Sequence, residues 1–334
     1  MKQLSPREIY DLANRAALAA GFDSHVAECL AESTVGAEAH RRSPVGLVHL
    51  FDYFSAAESG LINTAPEVQH EAIMPAIVLI DADDGPMQFA FSAYSDEFIE
   101  ATRSEGIAMM TIRNAFAGGE LGYYARRLAN QGILSIMTVN SPAVMSFSGS
   151  TGPLLGTNPL CYGVPLNNGK AIIVDQASSN TALAKIQQMA AEGTKLPEGW
   201  ALDSDGKSTT EPTAALAGTL LPFGSYKGGN IGMMVELLAL MGGAQPSLEA
   251  ISLYEGTAPP KIGGTIIAVD LQKFPGYKVR VETLLQQFVH EHSVGLRLVH
   301  DLSKPAKPIS IAENVIHDLE QFIANPRAAI STRF

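Results

Sequence analysis

A chain of 334 residues, 46% of them hydrophobic, has enough apolar side chains to bury one large core or two medium ones. With 34 acidic against 23 basic residues, its formal net charge of −11 argues against nucleic acid or an anionic membrane as a partner, since both are held by basic surfaces. Cys29 and Cys161 lie in apolar surroundings without CxxC or Cys/His ligand spacing, which points to a reducing compartment with neither a disulfide framework nor a metal site.

The first stretch, MKQLSPREIYDLANRAAL, carries charges too early and lacks the apolar run of a signal peptide. It reads as a helix instead, with Ser5 as N-cap, Pro6 at the first helical position and Glu8 closing a capping box. Ile9, Leu12, Ala13, Ala16 and Ala17, then Val26, Cys29, Leu30 and Val35 beyond a Gly21-Phe22-Asp23-Ser24 turn, predict two helices over 5–40. Next comes AEAHRRSPVGLVHLFDYF, with His40, Arg41 and Arg42 in a row, a Ser43-Pro44 turn, and His49 inside an apolar run. From about residue 70 the pattern changes to short β-branched runs at 76–82, 107–112, 133–139, 171–177 and 264–270, with helical stretches at 91–106 and 121–132 between them. This predicts a mixed α/β domain around a central sheet. The Gly/Pro/Thr-rich stretch 148–160 reads as an ordered loop over a site, and helical patterning returns from about 278. Helices at both ends suggest a helical subdomain over 1–70 plus 278–334, on the substrate and dimer side, and an α/β unit over 71–277 for a cofactor. The most apolar helical stretch, 231–243, is shorter than the roughly 20 residues that span a bilayer and contains Glu236, so the protein is expected to be soluble and cytoplasmic.

No GxGxxG follows the first strand and no GxxxxGK[ST] occurs, so neither the Rossmann fingerprint nor a P-loop is supported. In LLPFGSYKGGNIGMMVELLALMGGA, the turn glycines Gly224, Gly228 and Gly229 deliver Lys227 at the start of an apolar helix. Free N–H groups, the helix dipole and an ammonium suit a phosphate or carboxylate, although such turns also serve tight packing alone. Asp175 closes the apolar run IIVDQASSN, as a substrate-orienting carboxylate or as a helix N-cap. Thr157, Asn158 and Pro159 form a turn whose side chains bond locally or to a ligand.

In this order and at these distances, GTNPL (156–160), VDQASS (174–179), LPEGWALDSDGKSTTEP (196–212) and LLPFGSYKGGNIGMMVELL (220–238) resemble the malate/L-lactate dehydrogenase family, also called the sulfolactate dehydrogenase-like family. The resemblance runs from the first helix to about residue 325. It implies a homodimeric NAD(P)-dependent oxidoreductase with a non-Rossmann cofactor fold, and a hydride exchanged between nicotinamide and C2 of a 2-oxo, 2-hydroxy or cyclic imino acid. NADPH is slightly favoured over NADH. The cofactor contacts it implies are Thr157, Asn158, Pro159, the run Val174, Asp175, Gln176, Ala177 and Ser178, then Tyr226, Lys227 and Gly228. His300 and Asp301 follow by a looser match, because the family's Pro-Gly there is Val299-His300.

The family's Ser-His-Gly, followed three residues on by Arg, supplies a proton-donating histidine and a carboxylate-binding arginine. Gly46 matches the glycine, so the serine falls on Pro44, the histidine on Val45 and the arginine on His49. A second family histidine falls on Ala117, with small Ala115, Gly118 and Gly119 nearby, a pattern expected to enlarge the pocket and remove its acid. The substrate side would then comprise Arg42, Ser43, Val45, Ala117 and Glu120, with Asp175 and His49 carrying the chemistry. Glu120, on a Gly-rich loop, is expected to face solvent.

A ketone needs a proton delivered to its developing alkoxide, whereas a protonated imine already carries the charge that draws hydride. A missing acid therefore costs imine reduction less, which favours a small 2-imino (cyclic ketimine) carboxylate as substrate over a 2-oxo carboxylate. Also open are a malate/lactate-type 2-hydroxy acid dehydrogenase with a substitute acid (His49, His40, Glu120 or a water), a catalytically silent cofactor-binding relative, and ordinary packing for Val45 and His49.

Overall fold

A computed structural model of the chain describes residues 1–253, 258–292, 298–302 and 307–326. β1 (Lys2–Leu4) leads into α1 (Pro6–Ala19), which opens on the expected capping box: Ser5 Oγ accepts from the Glu8 amide, and the Glu8 carboxylate accepts from the Ser5 amide at 2.7 Å. α2 (Ser24–Ala39) begins at Asp23, whose carboxylate accepts from the His25 amide. Two 3-10 turns, Ser43–Val45 and Leu47–His49, then deliver α3 (Leu50–Glu58).

The sheet-rich middle starts with β2 (Gln69–Met74) and β3 (Ile77–Asp81), followed by α4 (Met87–Glu105) and β4 (Ile107–Ala115). α5 (Gly122–Asn130), β5 (Ile133–Val139), β6 (Leu160–Pro165) and β7 (Lys170–Gln176) come next. Beyond β7 lie α6 (Leu183–Ala191), β8 (Ala201–Leu202), β9 (Ser208–Thr209), α7 (Pro212–Leu216) and β10 (Thr219–Leu220), the three strands forming a small antiparallel sheet. α8 (Tyr226–Met241), β11 (Ile262–Asp270), α9 (Tyr277–His290), β12 (Val299–Asp301), β13 (Ile309–Ile311) and α10 (Glu313–Ala324) complete the described chain.

Eight strands form one sheet in the order β12-β7-β6-β5-β11-β4-β3-β2, antiparallel throughout except for β3 beside β4. This is the mixed α/β architecture that the patterning predicted, and each of the five β-branched runs lies in a strand. Strand alternation splits the sheet into two faces. Met110, Met137, Cys161 and Ile173 point into a core shared with α4 and α5. Thr138 and Thr265 point the other way, where Thr265 Oγ1 donates to the Leu238 carbonyl of α8. A second core joins α1, α2 and α3 to Leu319 and Phe322 of α10, and β1 pairs with β13, so the two ends of the chain pack together. α9 lies elsewhere, tied through Glu282 to Asn167 in the turn between β6 and β7. A third apolar cluster, around Met145, Leu155, Ile186 and Leu220, closes the small sheet beside α8. Among the described residues no helix is long and apolar enough to cross a membrane.

Candidate active site

Asp175 is the next-to-last residue of β7, on the face of the sheet that α5 covers. Its register partner on β6 is Cys161. Its Oδ2 accepts the Gly122 amide at 3.2 Å, and the Leu121 amide also bonds to the carboxylate; both amides belong to the first turn of α5. On the outer side, Arg42 Nη2 donates to the Asp175 carbonyl at 3.0 Å, tying the segment after α2 to the end of β7. Burial, and secondly the Glu120 carboxylate, raise the Asp175 carboxyl to about 6, against the lowering pull of the Gly122 amide, Arg42 and the Leu121 amide.

Glu120 is not on the surface. It is only 3% exposed, and its two oxygens receive Arg126 Nη1 at 2.8 Å and Nη2 at 2.5 Å, a fork-to-fork pair. The loop expectation fails because Arg126, one and a half turns into α5, folds back over the helix start. Gly36 and Gly122 leave that room, since a Cβ on either would press on the guanidinium or the Glu120 carboxylate. The thiol of Cys161 is pushed well up by burial and by the Asp175 and Glu120 charges, so it stays neutral.

A pair of stacked imidazoles flanks this charged cluster. His40, at the end of α2, lies 4.3 Å from the His300 ring at an interplanar angle of 14°, and His300 reaches it from β12 opposite Ala171. Burial, then the Arg126, His300 and Arg42 charges, push His40 down to about 3; burial and the Arg126 charge lower His300 as well. Both rings are therefore neutral near pH 7, and His300 Nδ1 is buried without a hydrogen-bond partner among the described residues.

The 43–49 segment is fixed from below by Glu38, a residue that sequence reasoning missed. Its buried carboxylate accepts Ser43 Oγ and the Leu47 amide, each at 2.9 Å, while burial holds the group above the usual carboxylate range. Gly46 lies directly on it, and any side chain there would strike the carboxylate. Val45 is half-buried above this anchor, and Ser43 and Arg42 are exposed. His49 Nδ1 lies 2.6 Å from Asp52 Oδ2, and its ring meets Tyr53 edge-on at 5.0 Å. That half-buried pairing orients the imidazole and leaves Nε2 without a partner among the described residues. Ala117 is 4% exposed and packs in the helical core. Nor do the nearby glycines open space: Val139 and Leu121 close on Gly118, and the Gln88 amide lies against Gly119, whose φ is +60°. Close packing, not an enlarged pocket, explains these small residues.

On the opposite side of β7, Ser178 holds the next turn together. Its amide donates to the Thr157 carbonyl at 2.8 Å, its Oγ to the Asn158 carbonyl at 2.7 Å, and its own carbonyl accepts the Phe223 amide. Asn158 is fully buried, with its amide group bonded to the Gly232 carbonyl and the Glu236 carboxylate, so its side chain positions α8 from within. The Pro159 carbonyl accepts the Val139 amide, while Val174 and Ala177 are half-buried and Gln176 is exposed. Gly228 is pressed between Ser178 and Phe223 where no side chain fits. Ser225 precedes the helix at φ 59°, a left-handed conformation unusual for serine, and makes no cap. The Lys227 and Gly228 amides are taken by the Gly224 and Phe223 carbonyls, so what the helix start offers an anionic cofactor group is the exposed Lys227 ammonium beside exposed Tyr226. Asp301 follows His300 at the β12 edge, half-buried.

The sequence profile of the malate/L-lactate dehydrogenase family matches residues 4–295. The chain belongs to this family. It is thereby an NAD(P)-dependent oxidoreductase. A Δ1-pyrroline-2-carboxylate/Δ1-piperideine-2-carboxylate reductase of Pseudomonas syringae pv. tomato is 34% identical over 315 residues, 92% of this chain and 91% of that protein. A (2R)-3-sulfolactate dehydrogenase (NADP(+)) of Chromohalobacter salexigens is 31% identical, over 88% of this chain and 89% of its own. The crystal structure of Δ1-piperideine-2-carboxylate reductase from P. syringae superposes with a TM-score of 0.88 at 32% identity, covering 96% of this chain and 99% of that one.

Proposed function

We propose that this family member reduces a small cyclic ketimine carboxylate, using NADPH in preference to NADH and adding hydride at C2. The observation that carries the reading is the Asp175 carboxyl, held by the α5 amides on a site that has Val45 where the family's proton-donating histidine would fall. A carbonyl oxygen is too weakly basic to take a proton from a carboxyl before hydride arrives, whereas an imine nitrogen can accept one from Asp175 and draw the hydride as an iminium. The names of two of the relatives support each half of the reading: one reduces Δ1-pyrroline- and Δ1-piperideine-2-carboxylate, the other uses NADP(+).

In this reading the bound dihydronicotinamide supplies the hydride. Lys227, exposed at the start of α8, holds the cofactor's charged part, with Ser178, Asn158 and Thr157 fixing the turn that borders it. Arg42, which already closes on the Asp175 carbonyl, and His49, oriented by Asp52, hold the substrate carboxylate. The protein acts as a homodimer: Met234, Leu237 and Met241 of α8 are 43%, 59% and 54% exposed, and Ile136 and Tyr162 lie bare on the same face of the sheet. An apolar strip of this kind suits a second copy. Purified protein should shift NADPH fluorescence on binding and oxidise NADPH with Δ1-piperideine-2-carboxylate, and Asp175→Asn should abolish turnover while cofactor binding persists. Full activity in that variant would remove Asp175 from the mechanism.

A further inference from the structure

Resting on the ketimine reductase reading, we propose that Asp175 is the proton donor of the reduction, and that Glu120 is the positioning residue that suits it to that task, with Arg126 locking Glu120 in place. Three geometric facts point this way. The Glu120 carboxylate is one peptide away from the Leu121 and Gly122 amides that hold Asp175, so the two carboxyl groups share one helix start. The bidentate Arg126 pair leaves Glu120 no freedom to turn away. The remaining imidazoles near the cluster, His40 and His300, face each other in a stack instead of carrying a proton toward the end of β7.

The charged and titratable groups around Asp175 come from four elements. Glu120 and Arg126 lie at the start of α5, Arg42 and His40 follow α2, Cys161 is opposite on β6, and His300 reaches in from β12. Of these, Glu120 disfavours a second negative charge on Asp175, and Arg42 favours it. The balance leaves a carboxyl able both to hold and to release a proton near neutrality, as a general acid requires. In the reaction, Asp175 gives its O–H proton to the imine nitrogen as the N–H bond forms. The carbon–nitrogen π pair becomes the amine lone pair as hydride reaches C2, the ketimine gains two electrons and the dihydronicotinamide loses them. Asp175 is left as a carboxylate and regains its proton from solvent.

The test reads Asp175 directly in the free protein, by carboxyl 13C NMR titration with selectively labelled aspartate and Asp175→Asn to assign the signal. Glu120→Gln should lower the Asp175 midpoint by about one pH unit, a tenfold loss of proton affinity, and Arg42→Met should raise it. Glu120→Asp, which keeps the charge, should hold it near the native position. The high-pH limb of kcat for Δ1-piperideine-2-carboxylate should move with each midpoint, because the substrate's own titration is common to all the proteins. Should Glu120→Gln fail to fold with Arg126 stranded, the exposed Arg42 and the conservative Glu120→Asp still carry the comparison. Midpoints that do not move, or that move the same way in Glu120→Gln and Arg42→Met, would overturn the proposal. Midpoints displaced as expected without any ketimine turnover by the native protein would sink the reductase reading, and the donor role with it.

Discussion

Replacing Asp175 by asparagine should stabilise the fold while destroying its chemistry. The carboxyl ionises at about 6 in the folded protein and near 3.8 as an ordinary aspartate. A group whose affinity for protons is raised by folding weakens the folded state as pH climbs from the unfolded to the folded midpoint. Below about pH 4 there is no penalty, and above about pH 6 it is complete. At about 1.36 kcal/mol per tenfold change in proton affinity, the ceiling is about 3 kcal/mol. Solvent reaches the rim of the side chain, so we expect about 1–2 kcal/mol in practice. Asparagine keeps an acceptor for the Gly122 amide and sheds the charge that faces Glu120, so little is lost in exchange. For a chain of this size that corresponds to a rise in Tm of roughly 1–3 °C at pH 8. Differential scanning calorimetry of both proteins from pH 4 to pH 8 measures it. A variant less stable than native at pH 8, or a difference that does not shrink toward pH 4, would refute the account of how this carboxyl is held.

Other consequences follow from named contacts. Gly46→Ala drives a methyl into the buried Glu38 carboxylate, and should cost about 1–3 kcal/mol in denaturant unfolding and raise the substrate KM; a silent substitution would deny the anchor. Glu38→Ala frees Ser43 Oγ and the Leu47 amide, and should raise KM more than it lowers kcat; a change in kcat alone would contradict a positioning role. Asn158→Leu leaves the Glu236 carboxylate and the Gly232 carbonyl short of a donor at the base of α8, and should lose about 2–4 kcal/mol of stability. Cys29 and Cys161 are both buried, with thiols raised by burial, and should resist a thiol reagent at pH 8 until the chain unfolds; fast labelling of the native protein would contradict their burial.

Much of the fold was legible because its signals are local. The five β-branched runs are strands with one face in the main core, and the capping box at Ser5 needs only four residues to declare itself. β2 was not, because QHEAIM lies exposed at a sheet edge and shows no alternation, and β6 was not, because LCYGVP mixes turn residues with only a few apolar ones. The site divides in the same way. Asp175 could be read as a strand-end carboxylate, and the Lys227 turn as a helix start. Glu120 could not, since AGGEL has the composition of a surface loop and its burial depends on Arg126 six residues ahead. Arg126 in turn has the look of a solvent-facing helix position in YYARRLANQ. Glu38 is hidden for a like reason: its role depends on a glycine eight residues away being pressed against it in space. The stacking of His40 on His300 joins residues from opposite ends of the chain, a relation that no local pattern carries.

The most direct test of the central claim is the ratio of kcat/KM for NADPH-dependent reduction of Δ1-piperideine-2-carboxylate to that for pyruvate, measured on the same preparation at pH 7. With Asp175 as the donor to an imine nitrogen, the account predicts a ratio of at least about one hundred, the low end of what general acid catalysis by a positioned group supplies. A ratio below one would contradict it and return the chain to the 2-oxo acid reductases of its family.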